Sequence, residues 1–121
     1  MNLVLRYLPL TALLVALCAA GLKPDPVPQA YHHQDKLHHL LGFAALGFTA
    51  FLTFAGARWY AVLPACLAIG LMIEVGQAFQ PARTASVADM AANALGVLLG
   101  WALSWPVRRW CGLRGERLSL G

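Results

Sequence analysis

The chain has 121 residues, of which 60% are hydrophobic and 12% are charged, and its mean hydropathy is +0.63. Soluble domains carry about 25% charged residues, so this composition excludes an ordinary soluble globule and predicts a membrane protein. The net charge is +4. A nucleic-acid-binding protein would need a basic face with stacking aromatics on a soluble module, which this sequence lacks, so we expect no nucleic-acid partner.

Four apolar segments follow one another along the chain, each close to the roughly 20 residues that a helix needs to cross a hydrocarbon core. They cover residues 3–21, 37–55, 59–79 and 87–107. Backbone groups in lipid must pair internally, so a helix is the expected structure for each segment. We therefore predict an all-α, multi-pass bundle of about four transmembrane helices that forms a single domain over residues 1–121.

The first segment has a second interpretation, because Arg6 precedes an apolar stretch that ends in the small residues 18–21. This pattern also resembles a signal peptide with a cleavage site. The chain that follows is itself apolar, so we favour an uncleaved first helix.

The distribution of Lys and Arg predicts how the helices are oriented. In a four-helix topology, Arg6, Arg58 and the C-terminal arginines lie on one side of the membrane, and Lys23, Lys36 and Arg83 lie on the other. Cytoplasmic loops carry the excess of positive charge. Both termini are therefore expected in the cytoplasm, with residues 108–121 as a basic cytoplasmic tail.

Polar residues interrupt the second and third segments near one end of each. Asp35, Lys36 and His39 stand where the second segment begins, and Asp35 and His39 share a helix face because they are four residues apart. Glu74 and Gln77 stand near the end of the third segment, on adjacent positions of one face. Placing a carboxylate inside the membrane costs about 2 to 3 kcal/mol of free energy unless it is paired. The position of Glu74 therefore indicates a functional role.

The fourth segment carries its polar residues on one narrow face. Asp89, Asn93, Gly96 and Gly100 fall within a stripe about 60° wide when residues advance by about 100° each. The two glycines form a small-xxx-small pattern that favours close helix packing. Ser86 is placed to cap this helix, and Arg83 lies in the loop before it.

The predicted topology brings these polar residues together in the outer half of the membrane. A structural interpretation competes with a functional one at each position. Asp35 can cap its helix, Glu74 can pair with Arg83 across the loop, and Asp89 and Asn93 can form a hydrogen-bond network that fixes helix packing. The sequence leaves these alternatives open.

The polar positions together resemble the VanZ-like family of small bacterial membrane proteins. The resemblance covers residues 35–100 and rests on three strings: Asp35-Lys36-x-x-His39, Glu74-x-x-Gln77 and Pro81-x-Arg83-x-x-Ser86-x-x-Asp89-x-x-x-Asn93-x-x-Gly96-x-x-x-Gly100. It implies a multi-helix protein of the bacterial cytoplasmic (inner) membrane. The namesake of the family is associated with resistance to the glycopeptide teicoplanin, which extends to this chain by analogy alone.

Two functions compete for this polar layer. The first is a binding or modulating role toward a cell-envelope lipid, a lipid-linked precursor or a glycopeptide at the outer leaflet, with Asp35, Lys36, Gln77, Arg83, Ser86 and Asn93 as binding residues. The alternative is an enzyme for a lipid-linked phosphate or sugar, in which Glu74, Asp89 and His39 carry out acid–base catalysis. The binding role is favoured because catalysis lacks a clear nucleophile. Ser86 and Thr84 are the only hydroxyl candidates near the layer, and Ser86 is already placed to cap a helix.

A divalent metal site built from Asp35, His39, Glu74 and Asp89 is chemically reasonable, but no close ligand spacing demands it. We therefore predict no metal and no cofactor. The expected partners are membrane lipids and a lipid-linked envelope precursor. The glycine pattern at Gly96 and Gly100 also permits a homo-oligomer.

Overall fold

A computed structural model describes residues 2–22, 34–80 and 87–110 of the chain. These ranges contain four helices and no strand, which confirms the all-α prediction: α1 (Leu3–Gly21), α2 (Gln34–Thr53), α3 (Trp59–Ala78) and α4 (Val87–Trp110). By length and composition α1, α3 and α4 are suited to crossing a membrane, and α2 is not among them. Three of the four predicted spans therefore meet this criterion, and the fourth stays a prediction.

The ends of α2 and α4 differ most from the predicted segments. Helix α2 begins three residues earlier than predicted and ends at Thr53, and α4 continues for three residues beyond 107 to Trp110. Hydropathy marks the part of a helix that suits lipid, whereas helical hydrogen bonding continues into polar flanks such as Lys36 and Arg108. The extra turn at the start of α2 carries part of the predicted polar layer.

Helices α2 and α4 run parallel to each other and are in backbone contact. Gly96 packs against the carbonyl of Leu40, and Gly100 packs one turn later against the carbonyl of Ala44. On the α2 side, a Cβ atom added to Gly47 would lie 2.6 Å from the carbonyl oxygen of Val97. Small residues on both helices therefore permit the close approach.

The apolar core joins all four helices around this pair. Phe51, Leu46 and Val97 are almost completely buried in it. Helix α1 contributes Leu10, and α3 contributes three further members, which are Val62, Cys66 and Ile73. The last turns of α1 and α3 meet where Gln77 donates to Gly21, and Glu74 of α3 lies near His39 of α2. These last turns therefore lie at the same end of the bundle as the first turns of the parallel pair α2 and α4.

The opposite end, which we call the arginine end, is defined by Arg6, Arg58 and Arg108. Arg6 donates two hydrogen bonds to the carbonyl oxygen of Thr53, at 3.3 and 3.2 Å, and Arg108 donates one to that of Ala55 at 2.6 Å. Thr53 is the last residue of α2, where helical carbonyls have no intrahelical partner, and Ala55 lies in the turn that follows. Arg6 of α1 therefore caps α2, and Arg108 of α4 holds the turn that follows it.

Candidate functional site

Four polar side chains from α2, α3 and α4 meet at the end of the bundle opposite the arginines. His39 lies at their centre: its Nδ1 atom is 2.8 Å from Oδ1 of Asn93 and 3.7 Å from Oε1 of Glu74. Its Nε2 atom is 3.8 Å from Oδ2 of Asp89. We call these four residues the His39 cluster. They stand 54 residues apart at the widest, so only helix packing brings them together.

The helices place each member for a local reason. Asp89 and Asn93 are one turn apart on α4 and face the same side. Glu74 follows Gly70 by one turn on α3, and Gly70 lets α4 approach, since a Cβ atom added there would lie 3.2 Å from Nδ2 of Asn93. His39 projects from the second turn of α2, beside the glycine contact between α2 and α4.

Burial makes the cluster electrostatically unusual. Glu74, Asp89 and Asn93 are each only 3% exposed, whereas the side chain of His39 is 15% exposed. Ionised carboxylates are costly in surroundings of low dielectric constant unless cations or hydrogen-bond donors stabilise them. Two buried carboxylates around one imidazole are therefore a feature that packing alone does not require.

Lys36 lies at the rim of the cluster. Its Nζ atom is 3.9 Å from Oδ1 of Asp89, and its side chain is 35% exposed. Together with the partly exposed His39, it marks the side on which the cluster reaches the protein surface. A ligand that approaches from this side would meet Lys36 first and the carboxylates beneath it.

The structure thus brings together five of the residues that the sequence predicts for the site: Lys36, His39, Glu74, Asp89 and Asn93. Gln77 is equally buried but turns toward α1, where its Nε2 atom donates to the carbonyl oxygen of Gly21 at 2.7 Å. Gln80 donates in the same way to Leu22 at 2.6 Å. These two glutamines therefore cap the C-terminus of α1.

The remaining predicted binding residues cannot be placed in the cluster. The side chain of Asp35 and the whole of Arg83 and Ser86 lie outside the described residues, and their roles stay predictions. Gly96 and Gly100 lie against α2, so the face that they offered for a homo-oligomer is covered by a helix of the same chain.

Gly70 is the contributor that the sequence analysis did not identify. It contacts Phe43 of α2 and Asn93 of α4, as a Cβ atom added there would lie 3.1 and 3.2 Å from their side chains. A signal existed in the sequence, because Gly70 stands four residues before Glu74 and so shares its helix face. A small residue one turn from a buried carboxylate indicates where another helix approaches.

The cluster is able to support two kinds of chemistry. An imidazole between two carboxylates can accept a proton on one side and release one on the other. His39, Glu74 and Asp89 also each offer one metal-ligand atom, and these three atoms lie within 4.8 Å of one another. Both properties require the convergence of three helices.

Comparison with known proteins identifies one relationship. A protein-family model described as VanZ/LLP1 matches residues 6–109. No curated protein and no solved structure matches the chain. The matched range contains the whole His39 cluster and also Arg6 and Arg108, which donate to the carbonyls of Thr53 and Ala55 at the other end.

Proposed function

The chain belongs to the VanZ/LLP1 family, and from this premise we propose that it is an inner-membrane protein that binds the polar headgroup of an amphipathic cell-envelope molecule. The observation that carries this proposal is the contact of His39 with Glu74, Asp89 and Asn93 inside the bundle. Ionisable side chains at membrane depth are rare and mark binding sites or pathways. The ligand that we favour is a lipid-linked cell-wall precursor.

The exposure of the cluster supports a ligand that enters from the membrane surface. Asp89 and Glu74 are buried, whereas Lys36 and His39 are partly open. An amphipathic molecule can place its chain among the exposed apolar side chains of the helices and its headgroup over Lys36. A glycopeptide, or an envelope lipid other than the precursor, would present a different polar group to Lys36 and His39. The binding assay therefore includes both.

The proposal places the cluster at the outer leaflet and both termini in the cytoplasm. The charge distribution supports this orientation, since Arg6, Arg58, Arg108 and Arg109 all lie at the end opposite the cluster. Arg58 donates to the Tyr60 hydroxyl, and this hydrogen bond raises the pKa of Arg58 above its ordinary value. Arginine is always charged at physiological pH, so Arg58 counts toward the positive charge at this end.

Cysteine labelling tests this orientation. In a chain whose three native cysteines are replaced, His38→Cys should react in intact cells with a membrane-impermeant maleimide. Arg58→Cys should react only after the cells are permeabilised, because the two positions lie at opposite ends of the bundle and both residues are exposed. The reverse pattern would place the cluster in the cytoplasmic half and overturn this part of the proposal.

Binding is tested with the full chain in nanodiscs. The probes are an isoprenoid-linked cell-wall precursor, a phospholipid and a glycopeptide. A hydrogen bond to a charged group contributes about 1.5 to 3 kcal/mol, so His39→Ala should weaken precursor binding by about tenfold or more. His38→Ala is the matched control, because His38 is the exposed neighbour on the same helix, and it should stay within about twofold. Equal affinities for both variants, or no binding by the unaltered chain, would refute the proposal.

The second candidate function is acid–base catalysis on a lipid-linked phosphate or sugar. The observation that favours it is the position of His39 between Glu74 and Asp89, at 3.7 and 3.8 Å. A histidine held by carboxylates on both sides can serve as a general acid or base. The same nanodiscs, incubated with the bound precursor, should then release phosphate or sugar, and Glu74→Gln should abolish the release. A bound precursor that stays intact would exclude this function and leave binding.

A further inference from the structure

We infer that the His39 cluster holds one divalent metal ion, and that a phosphate-bearing lipid headgroup binds the cluster through this ion. The inference deepens the proposed function and rests on it in taking the same cluster as the binding site. Its first support is the ligand set: one imidazole and two carboxylates, contributed by three helices, offer atoms within 4.8 Å of one another. Imidazole and carboxylate together suit zinc and manganese.

The spacing of the three side chains is close to what a metal ion needs. Zinc binds nitrogen and oxygen at about 2.0 to 2.2 Å, so two ligand atoms of a tetrahedral site lie about 3.3 to 3.6 Å apart. One imidazole nitrogen of His39 and one oxygen from each of Glu74 and Asp89 lie within 4.8 Å of one another, which is somewhat wider than this spacing. Small rotations of the carboxylates would draw the atoms in, and the helices would keep their positions.

Asn93 supplies a second, independent observation. Its side chain is buried and directed into the cluster, with Oδ1 at 2.8 Å from His39. Its Nδ2 atom has no hydrogen-bond partner within residues 2–22, 34–80 and 87–110. A buried donor left in this state costs about 1 to 3 kcal/mol. A metal-bound water or a phosphate oxygen in the cluster would accept this hydrogen bond.

The charge of the cluster explains why the headgroup should depend on the metal. The cluster contains two carboxylates, those of Glu74 and Asp89, and the ammonium group of Lys36 lies 3.9 Å from Asp89 at the rim. A phosphate placed beside a carboxylate at about 4 Å would be repelled by about 4 kcal/mol at an effective dielectric constant of about 20. A divalent ion reverses the local charge and draws Asp89 toward itself, so that Lys36 can turn to the phosphate at the rim.

The metal is tested first, without any lipid ligand. The full chain, purified with no polyhistidine tag and treated with chelator in nanodiscs, is titrated with Co²⁺ and then with Zn²⁺ as competitor. We expect saturable visible absorption from one cobalt ion per chain. His39→Ala should weaken binding by more than about tenfold, since the loss of a residue that only supports a ligand costs about 10- to 100-fold. His38→Ala should leave it unchanged.

A second variant guards against loss of binding through misfolding. Asn93→Asp adds a third carboxylate beside His39 and should tighten cobalt binding, a gain that a damaged fold would not produce. Three results would overturn the inference: no saturable absorption, equal affinities for the His39 and His38 variants, or thiolate-to-cobalt absorption, which would place the ion on a cysteine.

The headgroup is tested next, with the same nanodiscs before and after chelation. Binding of an isoprenoid phosphate should fall by about tenfold or more with chelator and return when Zn²⁺ is added. Precursor binding that chelator does not change would overturn the metal inference and leave the proposed function intact. Cobalt binding without precursor binding would uphold the metal and refute the proposed function. Inorganic phosphate serves as competitor, and equal affinity for it would overturn the lipid part of the inference.

Discussion

The two ends of the helix bundle use polar side chains in opposite ways. At the arginine end, Arg6 and Arg108 donate to backbone carbonyls of residues 53 and 55, and Ser104 and Thr53 donate to carbonyls within their own helices. At the other end, the His39 cluster is built from side chains that contact one another.

The difference separates structural polar groups from candidate functional ones. A side chain that satisfies a helix carbonyl has a role that folding alone explains. Gln77 and Gln80 show that this use also occurs beside the cluster, since both cap α1. By contrast, the buried carboxylates Glu74 and Asp89 contact the side chains of His39 and Lys36, and their burial opposes folding. We therefore infer a stabilising role for the caps and propose a functional role for the cluster.

The largest effect on stability and binding is expected at the contact between α2 and α4, because both ends of the bundle depend on it. Gly100→Val should destabilise the protein by about 3 kcal/mol, because a side chain at this position would meet the carbonyl of Ala44 and force α2 away from α4. Headgroup binding should be lost with it, since His39 and Asn93 stand on these two helices. Thermal unfolding and precursor binding in nanodiscs measure the two effects.

Ala102→Val is the matched control for this prediction. Residue 102 lies two positions further along α4 and is exposed, so the same added volume should change stability by less than about 0.5 kcal/mol. Equal unfolding temperatures for the two variants would show that the α2–α4 contact does not hold the bundle together.

A smaller effect, on stability alone, is expected at the arginine end. Arg108→Met should cost about 1 to 3 kcal/mol, because the carbonyl of Ala55 loses its donor in a buried position. Arg109→Met removes the same charge from the exposed neighbour and should cost less than about 0.5 kcal/mol. Precursor binding should be unchanged in both variants. A loss of binding in the Arg108 variant would break the separation between the two ends.

The smallest change in stability is expected inside the cluster, at Glu74. Glu74→Gln keeps the shape and removes a buried charge, so the free energy of unfolding should change by less than about 1 kcal/mol, while headgroup binding falls by about tenfold or more. Gln77→Leu on the same helix is the comparison and should cost about 1 to 3 kcal/mol, since it removes the cap on Gly21. If the Glu74 variant lost more stability than the Gln77 variant and still bound the headgroup, the cluster would serve helix packing and not binding.

Much of the fold was predictable, and the site was predictable in part. The polar face formed by Asp89, Asn93 and Gly96 is read from helical spacing, and all three are buried. The same spacing put Glu74 and Gln77 on one face, yet Glu74 contacts His39 whereas Gln77 caps α1. Two side chains one turn apart can contact different helices, as Glu74 and Gln77 do where α1 ends beside α3. The local sequence of α3 does not show where α1 ends.

The start of α2 was also predictable only in part. Hydropathy placed its beginning at residue 37, whereas the helix begins at Gln34 and includes Lys36. In this extra turn, the ammonium group of Lys36 lies 3.9 Å from Asp89. A polar turn has no apolar signal, so its helical state depends on the helix that it continues.

The sequence by itself determined that the chain is helical, how many helices it forms, and which positions of each helix are polar, because backbone groups in apolar surroundings must pair within their own segment. Only the tertiary structure decided that α2 lies parallel to α4 on Gly96 and Gly100, and that His39 is the residue on which Glu74, Asp89 and Asn93 converge. The physical reason is that spacing along a helix defines a face but not its partner. The partner depends on how side chains from distant segments pack together.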